Sequence, residues 1–285
     1  MPAGRFAPSP SGEFHLGNLR TAILAWLFAK HTHRKFLLRI EDLDRVRAGS
    51  EAEQIQDLAA IGLDWDEPPV RQSERSELYL DAVDQLRARD LLFECFCTRR
   101  DIAEAASAPH TIPGHYPGTC RNLSASERAE KRRERPAALR LRAATDSFQV
   151  HDLLHGDYRG EVDDFVVIRN DGVPAYNLAV VVDDAAQRID QIVRGDDLLS
   201  SAPRQAYLAG LLGYPIPQYI HVPLALNPQG QRLAKRDGAV TLRELGTEHA
   251  LQLIFDSLGL PASLPRALEV FDPTALPREP WTIHA

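Results

Sequence analysis

Arg5-Phe6-Ala7-Pro8-Ser9-Pro10-Ser11-Gly12-Glu13-Phe14-His15-Leu16-Gly17-Asn18 lies at the start of the chain, and its reading decides the fold. Arg5 to Pro8 reads as the end of a short strand stopped by Pro8 and Pro10. Pro8 to Gly12 is turn chemistry. A helix is expected from about Gly17 to Lys30, because Leu19, Ile23, Trp26 and Leu27 share one helical face. Phe36-Leu37-Leu38-Arg39-Ile40 then reads as a strand running into the acidic turn Glu41-Asp42-Leu43-Asp44. Strand, helix and strand in about forty residues make a βαβ unit, so an α/β fold with a parallel sheet is expected.

Moving outward, helices are expected over Glu51–Ile61, Ser76–Arg89 and Pro203–Leu212. Phe165–Ile168 and Ala179–Val182 read as strands around the turn Asn170-Asp171-Gly172. Ile189–Val193 reads as another strand, leading into Arg194-Gly195-Asp196-Asp197. The stretch from Phe93 to about Ala144 differs in character: it holds all three cysteines and several Pro and Gly residues. We read it as the body of an insertion at about 93–160 within an α/β domain covering 1–240. The 49 residues after Arg236 read as mostly helical, ending in the Pro-rich Pro273–Pro280, so 241–285 is a short helical C-terminal segment.

Composition narrows the class. The 285 residues are 44% hydrophobic and 26% charged, ordinary for a globular chain that can bury a sizeable core. The apolar runs, such as Ala22–Ala29, are far short of the ~20 residues a membrane span needs. Met1-Pro2-Ala3-Gly4-Arg5 lacks the apolar core of a signal peptide. Three cysteines are too few for a disulfide framework. A reducing cytoplasm is the expected setting, with no membrane partner. Net charge −7 argues against a general nucleic-acid coat, yet Arg128 to Arg142 carries seven Lys/Arg against two Glu.

Three constellations can carry chemistry. A strand–turn–helix with glycine at the helix start presents free backbone N–H groups to an anion. His15 sits at that helix mouth, where its ring N–H can meet a phosphate, and Gly17 would let a flat base approach the backbone. Gln231-Arg232-Leu233-Ala234-Lys235-Arg236-Asp237-Gly238 is a basic loop of the kind that closes over a polyphosphate. Cys95-x-Cys97 and Tyr116-x-x-x-Cys120 lie 18 residues apart and suit a tetrahedral zinc site. Three thiolates need one more ligand, from His110, His115 or Tyr116. Ligand chemistry alone favours histidine, because a phenol has a pKa of about 10.

His15-Leu16-Gly17-Asn18 resembles the HIGH signature of class I aminoacyl-tRNA synthetases, and Arg232-Leu233-Ala234-Lys235-Arg236 resembles their KMSKS loop. The chain is similar to glutamyl-tRNA synthetases almost continuously to residue 240. The matching segments include Arg5 to Gly12, Arg39-Ile40-Glu41-Asp42, Gln72-Ser73-Glu74-Arg75 and Asp171-Gly172-Val173-Pro174-Ala175-Tyr176. Val181-Val182-Asp183-Asp184 and Val193-Arg194-Gly195-Asp196-Asp197-Leu198 continue the match. Arg232 and Ala234 depart from the usual Lys and Ser, while Lys235 keeps the motif's second lysine. The 49 residues after Arg236 leave no room for an anticodon-binding domain, so the chain resembles the short glutamyl-Q tRNA(Asp) synthetases.

The resemblance implies a Rossmann-type class I catalytic domain with a zinc-bearing insertion. It implies two steps: ATP activates L-glutamate to glutamyl-adenylate, and glutamate then passes to queuosine in the anticodon of tRNA(Asp). It places Arg5, Phe6, Ala7, Pro8, Ser9, Glu41, Tyr176 and Arg194 at glutamate-binding positions. His15, Gly17, Asn18 and Lys235 fall on ATP, with His15 and Lys235 catalytic and magnesium accompanying the nucleotide. It makes Tyr116 the fourth ligand of one structural zinc beside Cys95, Cys97 and Cys120, with His115 the runner-up. Glutamate chemistry agrees independently, because two carboxylates and one ammonium call for fixed cations and one anion. A monomer is expected. The competing readings are a conventional or partner-assisted enzyme charging tRNA(Glu), a nonenzymatic tRNA-binding module, and a nucleotidyltransferase sharing only the His-x-Gly-x element.

Overall fold

A computed structural model describes residues 1–98, 100–102, 116–231, 233 and 241–283. The opening stretch forms β1 (Ala3–Phe6), α1 (Leu16–His31) and β2 (Lys35–Ile40), with β1 and β2 parallel and Arg5 opposite Leu37. Eleven of the sixteen residues of α1 are buried, so it is a central helix and not an amphipathic surface one. It starts at a reciprocal capping box between His15 and Asn18 and ends where Thr32 Oγ1 donates to the Phe28 carbonyl at 2.6 Å.

The main sheet runs β3-β2-β1-β9-β10-β6-β7. Here β3 is Val70–Arg71, β6 Ser147–Asp152, β7 Gly156–Glu161, β9 Ile189–Gly195 and β10 Gln218–Val222. Every neighbouring pair is parallel except the β6–β7 hairpin. Strand β1 lies between β2 and β9, so chain order reverses beside it. Open α/β sheets place their ligand sites beyond the carboxyl ends of strands at such a switch point. Arg5 near the end of β1, Glu41 just after β2 and Arg194 near the end of β9 are thereby delivered to one edge.

A second, antiparallel sheet joins β4 (Leu92–Cys95), β5 (Ala138–Leu141) and β8 (Val166–Ile168). A small separate core of Phe93, Cys95, Phe96, Tyr116 and Cys120 sits on it. The stretch from 93 to 160 thus feeds two sheets, because β6 and β7 extend the main one beyond β10. The basic helix α4 (Ala125–Glu134) buries none of its residues.

Helices α2 (Ser50–Ala60), α3 (Ser76–Ala88) and α6 (Ala202–Leu212) form where the sequence puts them. Ala179–Val182 does not form a strand: it lies inside helix α5 (Tyr176–Ala186). Leu178 to Asp184 are all buried there. β-Branched residues cost a helix at most about 0.7 kcal/mol each, whereas burying a valine returns roughly 1.5–3 kcal/mol. A helix buried all round and a buried strand give the same apolar run.

The C-terminal part forms α7 (Leu242–Leu245), α8 (Thr247–Leu258) and α9 (Leu264–Glu269), which share one apolar core with α1. Phe28 meets Phe271 edge-on at 5.1 Å between ring centres. A short parallel ladder, β11 (Ala225–Leu226) with β12 (Trp281–Thr282), ties down the Pro-rich end, where the sequence signalled no strand. Among the described residues no helix is long and apolar enough to cross a membrane.

Candidate active site

A cavity of about 450 Å³ opens at the switch point. Arg5, Phe6, Ala7, Pro8, Ser9, Glu41, Tyr176 and Arg194 all line it, so the eight residues expected around glutamate are brought together, with Asn18 beside them. Its floor is a buried ionic network. Arg5 Nε donates to Asp184 Oδ1 at 3.2 Å, Arg39 Nη1 to the same oxygen at 2.7 Å, and Arg39 Nη2 to Glu41 Oε1 at 3.1 Å. Burial pushes the Asp184 carboxyl up, but the charges of Arg39 and Arg5 outweigh it and hold the group below the usual carboxylate range. Burial pushes the Glu41 carboxyl up, against the pull of Arg39 and Arg5.

Arg194 is different. Its guanidinium is 5% exposed and donates to His221 Nε2 at 2.9 Å, Gln205 Oε1 at 2.8 Å, Tyr176 Oη at 3.5 Å and the Leu198 carbonyl at 3.4 Å. None of these partners is a carboxylate. Among the described residues this buried cation is thus held by neutral groups, without the carboxylate that normally offsets the desolvation of a guanidinium.

At the helix mouth, His15 Nδ1 accepts from the Asn18 N–H at 3.3 Å, and Asn18 Oδ1 accepts from the His15 N–H at 3.2 Å. A neutral ring that accepts through Nδ1 carries its proton on Nε2. The Asn18 side chain is therefore engaged in capping. Gly17 has a packing reason for being glycine: a Cβ there would lie 3.0 Å from Ala225 Cβ and 3.1 Å from the His15 ring. The turn is held from below by Gln54, whose Nε2 donates to the carbonyls of Ser9 at 3.1 Å and Gly12 at 2.6 Å. Lys235, like Arg232, Ala234, His110 and His115, lies outside the described residues. Thr241, the first described residue after the basic loop, pairs with His15 in an isolated antiparallel bridge.

The three sulfurs of Cys95, Cys97 and Cys120 lie within 4.8 Å of one another, with 3.6 Å between Cys97 and Cys120. Tyr116 Oη is 3.4 Å from Cys95 Sγ and 4.0 Å from Cys97 Sγ. Tetrahedral zinc with bonds of about 2.3 Å to sulfur and 2.0 Å to oxygen sets S···S near ~3.8 Å and S···O near ~3.5 Å, so this donor set fits that ion. Burial and the neighbouring Cys95 push the Cys97 thiol up to about 12. Three crowded sulfurs can become thiolates together only around a cation. The Cys120 N–H donates to Tyr116 Oη at 2.8 Å, and the Arg140 guanidinium stacks 3.8 Å above the Tyr116 ring. A second cavity of about 620 Å³ runs from Cys95 and Cys97 to Glu41 and Tyr176, which line both cavities.

Sequence reasoning did not assign Asp184, Arg39, Gln54, Gln205 or His221 to the site. Asp184 and Arg39 stand within matching segments, but a side chain beneath a substrate pocket has no local signature.

These features define the catalytic domain of a class I aminoacyl-tRNA synthetase. Residues 3–253 match the family described as tRNA synthetases class I (E and Q), catalytic domain. A solved glutamate tRNA ligase from Elizabethkingia meningosepticum, in complex with its amino acid, has a TM-score of 0.85 at 27% identity, covering 100% of this chain and 67% of that one. The glutamyl-Q tRNA(Asp) synthetase of Nocardia farcinica is 63% identical over 288 residues, covering 99% of this chain and 93% of that protein. That of Cutibacterium acnes is 51% identical, covering 96% of this chain and 79% of that protein. The chain belongs to the glutamyl-Q tRNA(Asp) synthetase family.

Proposed function

We propose that this chain activates L-glutamate with ATP, without RNA, and then transfers glutamate to queuosine in the anticodon of tRNA(Asp). The observation that carries the first step is the Arg194 guanidinium, buried in the cavity wall with only neutral hydrogen-bond partners among the described residues. A substrate carboxylate supplies its missing counter-charge. Arg5 draws the second carboxylate, its own charge shared with Asp184. Glu41 accepts from the ammonium, and the Tyr176 hydroxyl borders both cavities.

In the reaction an oxygen of the glutamate α-carboxylate attacks the α-phosphorus of ATP in line, and pyrophosphate leaves. His15, with its proton on Nε2, and Lys235 stabilise the phosphate charge as it redistributes. The role of Lys235 rests on its KMSKS-like segment. Magnesium bound with ATP would neutralise part of the triphosphate charge. A queuosine hydroxyl then attacks the adenylate carbonyl and AMP departs. The larger adjoining cavity gives a nucleoside room to reach that carbonyl. The relatives' names support this acceptor. Cys95, Cys97, Tyr116 and Cys120 would hold one structural zinc that contributes folding free energy. The chain would work as a monomer in the cytoplasm.

Amino-acid-dependent ATP–pyrophosphate exchange, with RNA omitted, tests the first step. Exchange with glutamate and little with aspartate or glutamine is expected. Absence of glutamate-dependent exchange in the folded protein would reject the reading.

A further inference from the structure

His221 has no exposed surface and does not line the substrate cavity, yet it is bonded to the residue that best explains substrate binding. The guanidinium Nε of Arg194 always carries hydrogen, so His221 Nε2, 2.9 Å away, must accept. The ring's single proton therefore lies on Nδ1, which is 2.6 Å from Asp152 Oδ2. Asp152 is equally buried and is fixed by backbone donors. Its Oδ1 receives the N–H groups of Leu154 at 2.9 Å and His155 at 3.0 Å, and Oδ2 also receives the His221 N–H at 3.0 Å. Three adjacent strands, β6, β10 and β9, supply Asp152, His221 and Arg194, with His221 in register with Arg194.

We propose that Asp152 and His221 are positioning residues that aim the Arg194 guanidinium at a substrate carboxylate. The proposal rests on the glutamate reading above. Its physical content is the order of groups. A carboxylate placed directly on Arg194 would orient it and also cancel its charge. A neutral imidazole orients the guanidinium while leaving the charge for substrate. Asp152, one group further back, fixes the tautomer that lets the ring accept. Burial and the charge of Arg194 hold the imidazole below its ordinary pKa against the pull of Asp152, so the ring stays neutral.

Two measurements on the full chain test this. In ATP–pyrophosphate exchange, His221→Phe keeps ring volume but loses the acceptor. It should raise the KM for glutamate about 10- to 100-fold, the range for a lost hydrogen bond to a charged group, and leave the KM for ATP within about twofold. His221→Gln can accept from Arg194 and donate to Asp152, and should return the glutamate KM to within about fivefold of wild type. Nitrogen-15 shifts of the wild-type ring, which need no variant to fold, should show Nδ1 protonated and Nε2 bare near pH 7. A His221→Phe enzyme with an unchanged glutamate KM would overturn the proposal. So would an equal rise in both KM values, no rescue by His221→Gln, or a proton on Nε2. A wild type without glutamate-dependent exchange would instead overturn the glutamate reading, and the positioning role with it.

Discussion

Arg5 donates to Asp184 across 3.2 Å, a buried ion pair between β1 and α5 beneath the cavity at the switch point. Asp184 also receives Arg39, so one carboxylate serves two buried guanidinium groups. Removing it leaves both without that partner, and Asp184→Ala should cost roughly 3–5 kcal/mol at neutral pH. Because the native Asp184 carboxyl lies below its ordinary value, its contribution is fully present above the unfolded pKa of about 3.9. That contribution is lost as pH falls through the lower native value. Urea unfolding at pH 7 and below pH 3 checks this. The gap between wild type and variant should narrow in acid, and a gap independent of pH would contradict the assignment.

The two arginines of the cavity should fail differently. Arg194→Ala removes a cation with neutral partners and should raise the glutamate KM by about tenfold or more, with a smaller loss of stability. Arg5→Ala removes a partner of Asp184 and should lose stability along with glutamate binding. Exchange kinetics set beside melting temperatures separate the two. Equal destabilisation by both variants would remove the distinction.

Lys235→Ala should lower adenylate formation about 10²-fold or more, as expected for loss of a cation preorganised for the transition state. The measurement is glutamate-dependent pyrophosphate exchange in a variant whose folding is verified by circular dichroism. Near-normal exchange would take Lys235 out of the mechanism.

Legibility in the sequence followed the range of each signal. Helix α1 and strand β2 were readable because apolar periodicity and a Pro-rich turn are local. Val180-Val181-Val182 misled, because a helix buried on every side gives the same apolar run as a strand. The residues lining the cavity were recognised through matching motifs at strand ends. Asp184 and His221 were not, because each acts through a partner 27 or more positions away in sequence. Gly17 was read as an opening for a base, whereas its lack of a Cβ also makes room for His15 and Ala225.

Cys120→Ser should lower the zinc content of the purified protein and destabilise the region built on Phe93, Phe96 and Tyr116, because a structural metal contributes folding free energy. Elemental analysis and thermal unfolding, with and without a chelator, check this. Wild type prepared without chelator and found free of zinc would contradict the four-ligand site.

Within the basic segment from Arg128 to Arg142, the unburied Arg128, Lys131, Arg132, Arg133 and Arg135 are the candidate contacts for RNA phosphates, whereas Arg140 is buried over Tyr116, and transfer should weaken as salt rises. The direct measurement is incorporation of radiolabelled glutamate into three RNAs: tRNA(Asp) bearing queuosine, tRNA(Asp) from cells unable to make it, and tRNA(Glu). Label on the first alone is the predicted result. Label on tRNA(Glu), or equal label on the two forms of tRNA(Asp), would contradict it.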